Sequence, residues 1–138
     1  MKYAFAIPYE VPSQNVTARR HWRHNYQDVD RTNRLARIMG NEACHAKKRR
    51  SVTITSYRTR RITDHANLVG GCKSLVDGLV RAGVLVDDSD RLASITYAQA
   101  VLSQMPVDLQ LKFAGRPCTL IEVEDMPNEP TKESPCAK

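Results

Sequence analysis

Apolar positions recur along this chain in short, readable patterns. Residues 3–7 form an apolar run closed by Pro8 and Pro12, which predicts a strand. Residues 13–27, dense in hydrogen-bond donors, read as a loop. Over 28–48, Val29, Leu35, Ile38, Met39 and Ala43 supply one side of a helix, with Asp28 or Asp30 available to cap it. Arg31, Arg34 and Arg37 recur on it at intervals of three, and Lys47-Lys48-Arg49-Arg50 suits the negative end of its dipole. Val52 and Ile54 alternate with Thr53 and Thr55, predicting a strand over 51–60. Leu68, Cys72, Leu75, Val76, Leu79 and Val80 keep helical spacing, so a second helix is expected over 67–82 with Gly83 as its stop. Gly70 and Gly71 each cost that helix about 1 kcal/mol against alanine, which points to a packing reason for small residues there.

After Val84-Leu85-Val86 comes the acidic turn Asp87-Asp88-Ser89-Asp90. Three further strands are predicted over 93–101, 107–113 and 118–124, with Gly115-Arg116-Pro117 as a hairpin connection between the last two. Residues 126–138 carry three prolines and no apolar pattern, and are expected to form a flexible tail. No internal repeat or second domain is visible. The pattern makes one α/β (α+β) domain over residues 1–125.

Composition narrows the class. With 138 residues, 41% apolar and 26% charged, the chain can bury a core and is not wholly disordered. The net charge of +6 is uneven: residues 1–61 hold 14 basic and 4 acidic side chains, residues 62–138 hold 7 and 11. A basic half joined to an acidic half suits a polyanion held beside carboxylates, and equally a solvated basic face. Pro8 interrupts an opening run too short for a signal peptide, and no stretch approaches the roughly 20 apolar residues of a membrane span. A cytoplasmic chain with reduced thiols at Cys44, Cys72, Cys118 and Cys136 is expected, and no membrane partner. Ligand spacing gives no support to a zinc site built from Cys44, His45, His65 and Cys72.

Metal-assisted hydrolysis of a phosphodiester needs carboxylates from separate segments to converge on divalent cations, and a lysine nearby can steady developing charge. Asp64 precedes the second helix, Lys73 and Asp77 share one of its faces, and Asp87-Asp88 follow it. Sixteen helical residues span about 24 Å. An extended chain from Gly83 to Asp88 doubles back by roughly 17 Å, enough to reach the first half of the helix. The same residues also read without chemistry, as a helix cap, an exposed intrahelical pair and a polar turn.

The segment Arg61-Ile62-Thr63-Asp64-His65-Ala66-Asn67, then Lys73, Asp77, Leu79, Gly83 and Asp87-Asp88, resembles the RusA family of Holliday junction resolvases from bacteria and their phages. The family pattern runs Asp-x-Asp-Asn, lysine, Asp-x-Leu, glycine, Asp-Asp. Pro8 and Pro12-Ser13-Gln14-Asn15 resemble the family's opening Pro-Pro-Ser-x-Asn, so the likeness spans roughly residues 3–100. It implies a mixed sheet packed against two main helices, a homodimer, four-way DNA as substrate, and a bacterial host cell with phage or prophage origin. Asp64 and Asp88 would hold Mg²⁺ with Asp87 a secondary candidate, and Lys73 would be the catalytic lysine, three residues further from Asn67 than in shorter members. Asn67 matches the motif asparagine and also suits a cap or turn.

One departure matters. Ala66 stands where the family has the second aspartate of Asp-x-Asp-Asn, and alanine cannot ligate a metal. His65 is a poor replacement, because magnesium prefers oxygen. Severely reduced cleavage is therefore expected, with DNA binding retained or even strengthened by the loss of an acidic group beside phosphates. The phosphate contacts are expected from Arg19, Arg20 and Arg23, from Lys47, Lys48, Arg49 and Arg50, and from Arg58, Arg60 and Arg61. Trp22, set among basic residues, reads either as a base-stacking ring or as ordinary packing.

Overall fold

The computed structural model describes residues 2–19, 22–40, 49–86 and 93–126. Its four strands are β1 (Lys2–Ile7), β2 (Arg50–Arg58), β3 (Ala93–Val101) and β4 (Cys118–Asp125), in the sheet order β1-β4-β2-β3. β4 runs antiparallel to both neighbours, placing Ile121 opposite Phe5 on one side and Ile54 on the other. β2 and β3 are parallel, with Ile54 opposite Tyr97. A parallel pair needs a crossover, and α3 (His65–Gly71) with α4 (Lys73–Arg81) supplies it. The mixed sheet with helices is the α+β architecture the sequence pattern predicts.

Alternation along β2 buries Val52, Ile54 and Ser56 on one face, where the two apolar side chains join Leu68, Leu75, Leu79 and Ile121 in the main core. Helix α2 (Trp22–Gly40) packs on α4 through Gly78, where a β-carbon would stand 2.5 Å from Thr32 Cβ. The opposite face of the sheet carries a smaller cluster, Ala6, Tyr57, Met105, Leu109 and Cys118. Among the described residues no helix is long and apolar enough to cross a membrane.

Several expectations are corrected. The presumed loop over 13–27 contains α1 (Gln14–Arg19), nucleated where the Ser13 carbonyl accepts from the Val16 and Thr17 amides at 3.0 and 3.1 Å. α2 starts at Trp22, so Asp28 and Asp30 lie inside it rather than capping it, and Asp30 pairs with Arg34 at 2.9 Å. The stretch over 41–48 that was to complete this helix lies outside the described residues, as does the tail beyond residue 126. The helix over 67–82 begins two residues early and divides at Cys72, whose amide is shared between the Leu68 and Val69 carbonyls at 3.1 Å each. Its stop is as expected: Gly83 has φ 82°, and the Val84 amide reaches back to the Leu79 carbonyl.

The strand predicted over 107–113 is instead helix α5 (Val107–Lys112). Val107, Leu109 and Leu111 alternate, but Val107 and Leu111 are 70% and 80% exposed and only Leu109 reaches the core. Ala114 and Gly115, both at positive φ, lead from this helix toward β4, so 115–117 is no hairpin.

Candidate functional site

A loop fastened at three points carries the central carboxylate. Just ahead of it, Arg58 is buried at the end of β2 and donates to the Val11 and Arg60 carbonyls and to the Ser56 hydroxyl. The Thr59 amide donates to Glu10 Oε1 at 3.3 Å. Gln99 on β3 then grips Ile62 from both sides, accepting from its amide and donating to its carbonyl at 2.8 Å each. Asp64 follows as the N-cap of α3, its Oδ1 accepting from the Ala66 amide at 3.0 Å. The capping reading of Asp64 is thus what the structure displays, and its exposed carboxylate stands at the mouth of a pocket of about 330 Å³. Ser13, Asn15, Arg60, Arg61 and Asn67 share that pocket.

The other wall depends on two glycines. A β-carbon on Gly71 would collide with the backbone of Pro12, and one on Gly70 with the side chain of Gln14. Bare backbone at these positions lets α1 lie directly on α3, bringing Ser13 and Asn15 beside Asp64 and Asn67. That close approach is the packing reason the glycine pair called for.

Lys73 is not in this pocket. It follows Asp64 by nine residues and lies beyond the division at Cys72, as the first residue of α4. It lines a separate pocket of about 410 Å³ between α1, α2 and α4. There its ammonium lies 3.6 Å from Asp77 Oδ1, the intrahelical pair anticipated from spacing.

Asp87 and Asp88 lie outside the described residues, and among the described residues no group of three His, Cys, Asp or Glu could hold a metal ion. Asp64 supplies one hard oxygen donor, Ala66 supplies none, and Asp77 faces Lys73 in the other pocket. The described donors therefore meet the needs of magnesium only in part. The zinc reading loses Cys72, which is fully buried, its thiol pushed up to about 12 by burial. Cys44 and His45 lie outside the described residues.

The basic clusters divide sharply. Arg50 is 2% exposed and spends its guanidinium on Asp125 at 2.7 Å, on the Val84 carbonyl at 2.8 Å and on the Tyr3 hydroxyl. Arg50 is structural, a correction to its expected place among the phosphate contacts; Arg58 is buried and bonded into the fold, yet it also lines the Asp64 pocket. Arg60 and Arg61 are exposed on the Asp64 loop, and Arg49 is half-buried. Arg19 and Arg23 are exposed, with Arg23 lying over the Trp22 ring at 5.6 Å. Trp22 is itself 65% exposed, which removes the ordinary packing reading for it. Arg20, Lys47 and Lys48 lie outside the described residues.

Sequence reasoning overlooked Gln99 and Glu10, which position the loop. Gln99 carries a weak signal, a long amide in the middle of a strand, whereas its partner is 37 residues away. No protein-family model matches the chain, and no curated protein does either.

Proposed function

We propose that this chain is a RusA-type protein that binds branched DNA, with magnesium-dependent cleavage weakened by the alanine at position 66. The observation that carries this reading is the meeting of Arg60 and Arg61 with Asp64 and Asn67 in one pocket, on a loop clamped by Gln99. Two cations beside a carboxylate suit a phosphodiester held next to a hard cation. The sequence likeness supplies the remaining metal-ligand candidates, Asp88 and Asp87, and the expectation of a homodimer acting on opposed strands of a four-way junction. Magnesium held by Asp64 and Asp88 would activate water and neutralise phosphate charge.

This chain's own residues do the rest. Arg60 and Arg61 neutralise and orient the phosphate, and Asn67 offers a neutral hydrogen-bonding group beside it. Arg60 and Arg61, with the buried Arg58 behind them, rather than Lys73, are the cations that line the pocket of Asp64. The second reading, a non-catalytic branched-DNA binder on the same scaffold, is favoured by Ala66 itself, which puts a methyl group where a ligand would be needed.

Comparing the chain with its Ala66→Asp variant on a mobile four-way junction tests both readings, with flap, duplex and single-stranded controls. Ala66 is exposed in the first turn of α3, where an added carboxylate suits the helix dipole, so the variant is expected to fold. Binding by both with magnesium-dependent cleavage rising in the variant is the expected result. Equal, strong cleavage by both would show that position 66 is irrelevant to activity, and absence of junction binding by both would remove the proposal.

A further inference from the structure

The larger pocket, between α1, α2 and α4, has no part in the chemistry proposed at Asp64. Its walls are mixed: Ala18, Val29 and the ring of Tyr26 stand beside the amides of Gln14 and Asn25, the Ser74 hydroxyl and the Lys73–Asp77 pair. Helix α1 is the partition between the two sites. Ser13 and Asn15 border the Asp64 pocket, while Gln14 and Thr17 border this one.

Three features describe what would fit. The Lys73–Asp77 contact of 3.6 Å is longer than a hydrogen bond, and the two side chains are 72% and 43% exposed. A donor of three protons and a carboxylate therefore stand side by side at the pocket with bonding capacity to spare. Asn25 donates one amide proton to the Thr17 carbonyl at 3.2 Å, while its Oδ1 is buried with no hydrogen-bond partner among the described residues. Tyr26 is 54% exposed, and Arg81 lies over its ring at 5.4 Å. Flat, mixed donor-and-acceptor chemistry beside an aromatic ring is the recognition pattern of a nucleobase.

We infer that this pocket receives one unpaired nucleobase from the bound DNA strand, stacked on Tyr26 and read by Lys73 and Asp77. Asp77 accepts from an exocyclic amine or ring N–H, and Lys73 donates to a carbonyl or ring nitrogen. A base face can stack on Tyr26 only where the base has left the duplex stack, so the pocket favours a branch point over continuous duplex. The inference rests on the branched-DNA reading, and it gives Lys73 a binding role in place of a role beside Asp64.

The test is a cycle between protein and DNA changes. Affinity for a four-way junction and for plain duplex is measured with the unaltered chain, Tyr26→Ala and Asp77→Asn, using intact junctions and junctions carrying abasic sites at the branch point. Both side chains are substantially exposed, so both variants are expected to fold. Expected is about a tenfold loss of junction affinity in Tyr26→Ala with duplex affinity unchanged. The abasic junction should weaken the unaltered chain by a similar factor and leave Tyr26→Ala unaffected. Equal binding of intact and abasic junctions by the unaltered chain would overturn the inference while leaving the branched-DNA reading standing. So would saturation of the pocket by free deoxynucleoside monophosphate without any abasic effect. No preference for the junction over duplex by the unaltered chain would remove both.

Discussion

Gly71 and Pro12 meet backbone to backbone: a β-carbon on Gly71 would stand 1.7 Å from the Pro12 carbonyl oxygen. Neither group is the far end of a flexible side chain, so α1 must move away from α3 to admit even one methyl group. Gly71→Ala is therefore expected to lose about 1–3 kcal/mol of stability, the range for overpacked sites. It should also weaken junction binding, because α1 forms a wall of both pockets. Chemical denaturation together with junction titration checks this. Unchanged stability and binding would mean that the contact is not holding α1.

Arg50 and Asp125 tie the first residue of β2 to the last of β4, the guanidinium deeply buried and the carboxylate partly exposed. The hydrogen bond from Arg50 holds the Asp125 carboxyl below its usual range, against the smaller opposing effect of burial. A carboxyl with a depressed folded-state value stabilises the fold fully above its unfolded value, about 3.9. That contribution is lost as pH falls through the lower folded-state value. Stability measured by urea unfolding should thus drop below about pH 4, and Asp125→Asn should flatten this part of the profile. At neutral pH the same variant is expected to cost about 1–2 kcal/mol, because the charge-assisted bond becomes a neutral one while Arg50 keeps the Val84 carbonyl.

Cys72 gives a readout of core integrity. Burial pushes its thiol up to about 12, while the charge of Arg58 pulls the other way and loses. At pH 8.5 the native protein then holds on the order of a thousandfold less Cys72 thiolate than an ordinary cysteine would. Iodoacetamide followed by peptide mass mapping should leave Cys72 unmodified in the folded protein and modify it in urea. The unfolded chain releases this proton first, so stability is also expected to decline as pH rises past the ordinary thiol range. Rapid native-state labelling would contradict the buried placement.

How legible this was from the sequence depended on the distance over which each residue is satisfied. Alternation at Val52 and Ile54 and the left-handed stop at Gly83 are local, and both were readable. The segment from Val107 to Phe113 misled because its alternation imitates a strand, although the residues flanking Leu109 face solvent. The hydroxyl-rich start of α1 was overlooked because its stability comes from docking on bare glycine backbone, not from an apolar stripe. At the site, Asp64 and Asn67 stood out by motif and Arg60 and Arg61 by charge. Arg50 and Arg58 looked identical to them in sequence, and their partners Asp125 and Val11 are 75 and 47 residues distant. Burial alone separates the structural arginines from the exposed ones.

That separation makes the sharpest prediction about the proposed DNA interface. Each phosphate neutralised on B-form DNA contributes about −0.9 to the slope of log affinity against log salt. Arg60→Ala and Arg61→Ala should each make the slope for four-way junction binding shallower by about one, with little change in thermal stability, since both side chains are exposed. Arg58→Ala should behave oppositely. It removes the donor to the Val11 and Arg60 carbonyls and to Ser56, so it should lower the melting temperature and reduce binding through loss of the folded loop. Below its melting point, the slope for the folded fraction should stay near that of the unaltered chain. A shallower slope in Arg58→Ala with full stability, or unchanged slopes in Arg60→Ala and Arg61→Ala, would place the phosphates elsewhere on the surface.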